Sequence, residues 1–88
     1  MIFNEENKKP QIEYPYNWPY KIIGENIEQM ITAVEEVVID LEYELTPSNI
    51  SRKGKYFSLN VIVTVPSEIV RDLIFQKLSG HPSIKFVI

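Results

Sequence analysis

Between Tyr56 and Val65 the chain alternates without a break. Phe57, Leu59, Val61, Val63 and Val65 fall on one face, and Tyr56, Ser58, Asn60, Ile62 and Thr64 on the other. A strand with one apolar and one mixed face belongs in an antiparallel sheet covered by helices on a single side. The rest of the chain must therefore supply those helices and the neighbouring strands.

It does so in a definite order. Ile27, Met30, Ile31, Val34, Val37, Val38 and Leu41 recur at helical spacing and form one apolar stripe. Asn26 is placed to cap this helix, Gln29 stands where a capping box puts its return partner, and Glu25 and Glu28 suit the positive end of the helix dipole. A second helix opens at Ser67, with Val70, Leu73, Ile74 and Leu78 as its stripe and Gly80 as its C′ residue. Pro15 and Pro19 place the start of a first strand near Tyr20, ending at Gly24. Residues 42–50 read as an edge strand whose carboxylates and Pro47 discourage pairing with foreign strands. Residues 51–55 read as a hairpin loop, and residues 84–88 as a last strand with Ile84, Phe86 and Ile88 on one face.

Strand, helix, strand, strand, helix, strand is the α+β, ferredoxin-like βαββαβ order. Right-handed crossovers then give a four-stranded antiparallel sheet in spatial order 4-1-3-2, with both helices on one face. A chain of 88 residues holds one such core. We assign residues 15–88 to it and read residues 1–14 as a mobile or loosely docked N-terminal arm. Tyr14, Tyr16, Trp18 and Tyr20 alternate where the two meet; they either form a contact surface or complete a small core.

Chemistry is scarce. The absence of cysteine excludes disulfides, thiolate zinc sites, iron–sulfur clusters and a cysteine nucleophile. His81, the single histidine, lies in a Gly-His-Pro turn, which favours a solvated turn residue over a general base. Glu42 and Glu44 share a strand face, but two carboxylates fall short of a calcium site. With three glycines the chain has neither a GxGxxG nor a Walker loop, so no cofactor is expected, nor a metal, nor enzymatic activity. The first ten residues lack the apolar stretch of a secretory signal, and no apolar run approaches the ~20 residues that span a bilayer. The expected location is the cytoplasm, with no membrane contact.

Charge is unevenly spread. Residues 25–44 carry −7 and residues 45–88 carry +4, within a net −3. Such polarity can orient a charged partner, although a solvated acidic helix face accounts for it more simply. RNA-recognition domains share this order of elements and carry a basic-Gly-aromatic-x-aromatic signature on their third strand. Lys53-Gly54-Lys55-Tyr56-Phe57 begins in that way, but Lys55 stands in place of the first stacking aromatic and Phe57 belongs to the core series. The acidic net charge further disfavours nucleic acid.

Pro15-Tyr16-Asn17-Trp18-Pro19-Tyr20-Lys21-Ile22-Ile23-Gly24 resembles the opening P-x-x-(F/W)-x-Y-K-V-x-G of the YbeD-like family of small bacterial proteins. Ser51-Arg52-Lys53-Gly54-Lys55-Tyr56-Phe57-Ser58-Leu59 is similar to that family's S-x-K-G-x-Y-x-S-V hairpin and third strand. Ile74-Phe75-Gln76-Lys77-Leu78, followed by Pro82-Ser83-Ile84-Lys85-Phe86-Val87-Ile88, looks like its closing (I/L)-Y-x-x-L…P-x-V-K-x-V-L. The resemblance implies a ferredoxin-like fold close to the ACT regulatory domains, which bind amino acids at paired interfaces. It implies no catalytic or ligand residue, since the family is of unknown function. Gly24 occupies the first strand–helix junction, where ACT domains often place a glycine near their ligand; relief of the turn is the plainer reason for it.

The expectation is thus a non-enzymatic, ACT-like regulatory or protein-interaction module that binds a protein or a small metabolite. A second copy is one way to cover the open sheet face. The alternative is an RNA-binding protein that uses the basic hairpin and the sheet. Arg52, Lys53, Lys55 and Tyr56 are the candidate partner-binding residues.

Overall fold

Six elements follow one another in the expected order: β1 (Tyr16–Gly24), α1 (Ile27–Val37), β2 (Tyr43–Ile50), β3 (Phe57–Val65), α2 (Glu68–Ser79) and β4 (Phe86–Val87). The computed structural model describes residues 12–50 and 54–88. Most of the N-terminal arm, residues 1–11, lies outside the described residues, as do Arg52 and Lys53 of the hairpin. The sheet runs β2-β3-β1-β4, which is the expected 4-1-3-2 read from the other edge, and all its pairings are antiparallel.

The core lies between the sheet and the helices. Val61, Val63 and Val65 of β3 are fully buried, as are Ile22 of β1, Met30, Ala33 and Val34 of α1, and Leu78 of α2; among the described residues none that is buried is polar. The strict alternation of β3 explains its share, because every second side chain points at the helices. The side-chain oxygens of Asn26 and Ser67 accept from the backbone N–H groups of Gln29 and Val70, so both helices begin at their expected caps.

Four details differ from the sequence reading. The first strand starts at Tyr16 and runs through Pro19. Lys21 exchanges both backbone hydrogen bonds with Ile88, so Pro19, two residues earlier, turns its nitrogen to the same outer side. No described strand lies opposite it there, and the missing N–H removes no ladder bond. Pro47 obeys the same rule on the far edge. Thr64 N–H donates to the Glu42 carbonyl, which turns the even-numbered residues of β2 towards β3 and Pro47 outward. The stripes are also narrower than expected: Ile27 and Leu73 are exposed, whereas Ala33 is buried. α1 ends at Val37, short of Leu41, and the chain turns through Asp40 at a φ of 66°. Finally, Ile84 does not share a face with Phe86 and Ile88: it is buried in the turn before β4. Val87 lies opposite the buried Ile22 and packs on the core, while Phe86 lies opposite Ile23 on the outer face.

Gly24 is buried at the end of β1, and its role is close approach, not relief of a turn. A Cβ there would come within 2.8 Å of the Ser83 carbonyl oxygen and 2.9 Å of the Met30 thioether. Met30 can move aside, but the backbone oxygen cannot without shifting the turn before β4. We expect Gly24→Ala to destabilise the fold by about 1–3 kcal/mol. Urea unfolding of the two proteins should show a lower midpoint at unchanged slope, and an unchanged midpoint would mean that the turn yields freely.

Candidate functional site

Among the described residues no helix lies on the outer face of the sheet, and the ladder fixes which residues share it. Glu44, Ile62 and Pro19 lie side by side across β2, β3 and β1. In the next row Thr46, Asn60 and Lys21 are followed by Ile88, which hydrogen-bonds to Lys21. Ser58, Ile23 and Phe86 form a third row. Towards the other end Thr64 Oγ1 donates to Asn17 Oδ1 at 2.8 Å. A shallow hollow of about 780 Å³ opens here, with Pro19 and Ile62 as its apolar lining and Glu42 and Glu44 beside them. Phe86 is 58% exposed and Ile88 74% exposed. The face is therefore more apolar than the sequence reading allowed, because the phase of β4 brings these two residues onto it.

The basic hairpin is described only at its C-terminal side. Gly54 takes a φ of +67°, which a glycine adopts without strain, and turns the chain into β3. Lys55 places its ammonium 5.6 Å from the ring centroid of Tyr56, within cation–π range. The two candidate residues thus sit together where β3 begins. Phe57 packs against the core, in keeping with its place in the apolar series.

Tyr16, Trp18 and Tyr20 all lie on the helix-facing side of β1, opposite the buried valines of β3, with Tyr14 just before the strand, and they differ in how far the rest of the chain covers them. Tyr20 is buried, Trp18 and Tyr14 pack against the core, and Tyr16 is exposed. Arg71 binds three of them together. Its guanidinium lies 4.6 Å from the Trp18 ring centroid, its Nη1 donates to the Tyr14 hydroxyl at 3.3 Å, and its carbonyl accepts from Tyr20 Oη–H at 2.7 Å. Glu68 and Asp72 complete the cluster at 3.4 and 3.0 Å. The hydrogen bond to Asp72 raises the Arg71 pKa further above its ordinary value. These rings mainly complete the core, and sequence spacing held no sign of the arginine that joins them.

His81 is likewise more tightly held than a solvated turn residue. Its Nδ1 accepts from Ser83 N–H at 3.1 Å, which leaves Nε2 to donate to Glu36 at 2.8 Å. The histidine thereby ties the turn before β4 to α1. Glu42 and Glu44 do share a face, and among the described residues no group of three His, Cys, Asp or Glu side chains is placed to hold a metal. No described helix is long and apolar enough to cross a membrane.

Burial pushes the Tyr20 phenol up to about 12, with Asp72 and Tyr14 adding to the rise and Arg71 opposing it. The proton is retained more strongly in the folded protein than in the unfolded chain. Its contribution is present in full below pH 10 and is lost as the pH climbs through the folded value, because the unfolded tyrosine ionises first. We expect stability to fall across that window from this group, by less than the full shift would give because the phenol's hydrogen bond is only part-buried. Tyr20→Phe should flatten the decline when denaturant unfolding is followed from neutral to alkaline pH; an identical decline in both proteins would assign it elsewhere.

Residues 9–88 match the family described as "Protein of unknown function (DUF493)". The chain is 41% identical over 81 residues to the uncharacterised protein Cj0253 of Campylobacter jejuni, covering 92% of this chain and 91% of that one. It is 32% identical over 87 residues to a UPF0250 protein of Chromobacterium violaceum, covering 94% and 98%. Among solved structures it is similar to protein HP0495 from H. pylori, with a TM-score of 0.80 and 29% identity over 96% of this chain and 92% of that one. The chain belongs to the DUF493 family of small bacterial proteins of unknown function, in keeping with its YbeD-like motifs.

Proposed function

We propose that this member of the DUF493 family is a non-enzymatic, ACT-like regulatory or protein-interaction module that binds through the open face of its sheet. The observation that carries the reading is the set of apolar side chains on that face: Pro19, Ile23, Ile62, Phe86 and Ile88 lie among Asn, Ser, Thr and Lys residues, with no helix of the described residues upon them. An apolar centre within a polar surround is the usual anatomy of a contact surface. The reactive side chains support the same view by being engaged in architecture. His81 holds Glu36 and the Ser83 backbone, and Arg71 holds Trp18, Tyr14 and two carboxylates.

The reading is tested by capture from bacterial lysate with three baits: wild type, Ile62→Glu, and Lys53→Glu combined with Lys55→Glu. The captured material is read for protein and nucleic acid together, and any captured protein is then titrated against each bait. A charge at the centre of the face should weaken a protein partner at least about tenfold, while the hairpin variant should retain it. A partner indifferent to Ile62→Glu overturns the assignment to this face. Recovery of RNA that weakens steeply with salt and disappears in the hairpin variant would establish the nucleic-acid alternative instead.

A further inference from the structure

We infer that the open face is the contact surface for a second copy of this chain, packed sheet to sheet about a two-fold axis that runs along the strands. The inference rests on the reading of this face as a binding surface and adds the identity of its occupant. Three observations carry it.

The first concerns the edges of the sheet. Pro47 on β2 and Pro19 on β1 both turn a nitrogen without hydrogen to the outside, and the ladder of β2 is irregular between Pro47 and Ile50. Edges blunted in this way oppose side-by-side growth of the sheet, so association is directed to the face. The second is the apolar patch. Ile23 and Phe86 are directly opposed across β1 and β4, and Pro19 and Ile62 across β1 and β3. Together with Ile88 they cover the middle and the β4 side of the face.

The third observation is charge complementarity of the face with itself. Glu42 and Glu44 lie on its β2 side, and Lys21 lies on β1 next to β4. None of the three takes part in an ion pair among the described residues. A two-fold rotation about an axis along the strands lays β2 of one copy over β4 of its partner. The carboxylates of each copy then approach the lysine flank of the other, twice over, as an isologous contact requires. Stacking β2 over β2 would set carboxylate against carboxylate and is disfavoured.

The size of the face sets the strength. Four strands spaced about 4.8 Å apart offer on the order of 500 Å² per copy, below the roughly 800 Å² of a standard interface. The dimer should therefore be weak and concentration-dependent.

Sedimentation equilibrium from about 10 µM to about 1 mM, a range suited to a contact below standard size, should show the mass rising from one chain towards two. Phe86→Glu changes a side chain that is more than half exposed, so circular dichroism should be unchanged while association weakens at least about tenfold. Lys21→Glu alone should weaken the dimer comparably, and adding Glu44→Lys to the same chain should restore it. A single-chain mass throughout overturns the proposal, and so does a dimer indifferent to both Phe86→Glu and Lys21→Glu. A protein that stays monomeric yet loses a different captured protein on Phe86→Glu overturns the second copy alone and leaves the face as the binding surface. Indifference of every captured partner to changes on the face removes that broader reading as well.

Discussion

Nine residues of β1 lie opposite nine of β3, from Tyr16 against Val65 to Gly24 against Phe57, and every other part of the molecule is placed by this pairing. It joins two strands whose inner side chains are almost wholly apolar, creating the surface on which α1 and α2 lie. It also decides the outer face, since each inward residue commits its neighbours to the other side. A slip of one residue would bring Ser58, Asn60 and Thr64 into the core and send Leu59, Val61 and Val63 into water. The register is thus enforced by burial along its whole length, and the outer face inherits its arrangement from it.

Polar contacts then fix what the apolar core leaves adjustable. Arg71 joins α2 to the aromatic residues in and just before β1 through a ring, a hydroxyl and a carbonyl, while His81 fastens the turn before β4 to Glu36 on α1. Gly24 lets that turn approach the strand end closely enough to place β4 beside β1. The phase of β4 follows from this placement, and with it the exposure of Phe86 and Ile88 on the open face. A surface feature of functional interest therefore depends on a packing detail at the opposite side of the sheet.

Much of the fold was legible in the sequence because several strong local signals agreed. The unbroken alternation of β3, the caps at Asn26 and Ser67, and the order of elements led to the observed topology. The departures share a cause: each depends on relations that no local window contains. Pro19 reads as a strand breaker until the direction of its nitrogen is known, and that direction is set by β4, more than sixty residues away. Ile84 has the same parity as Phe86 and Ile88. It belongs to the turn, where its N–H donates to the His81 carbonyl, so its parity does not carry over to Phe86. Ile27 and Leu73 fit their helical stripes, but Ile27 opens its helix and Leu73 stands to one side of the line from Val70 through Ile74 to Leu78 that α2 turns to the core. The outer face was half legible. Its β3 residues were foreseen, whereas Phe86 and Ile88 were set on one face together without the ladder that shows it to be the open one. Of the four residues first singled out, Lys55 and Tyr56 adjoin at the start of β3, and Arg52 and Lys53 lie outside the described residues.

The same β1–β3 pairing bears on how the chain reaches its fold. Its partners are far apart in sequence, 33 residues at Gly24 and Phe57 and 49 at Tyr16 and Val65, whereas β2 and β3 meet across 7 residues at Ile50 and Phe57. Closing the shorter loop sacrifices less chain entropy, so the β2–β3 hairpin and the helices can take shape while β1 is still searching. The step that completes the sheet is then the insertion of β1 beside an existing β3, under a roof of helices already formed in part. Contacts of such long range place the chain with mixed α/β domains, slower to fold than helical bundles of similar size. Until β1 arrives, the inner valines of β3 have a free strand edge beside them, and the speed of that one docking event governs how long the nascent protein remains open to misassembly.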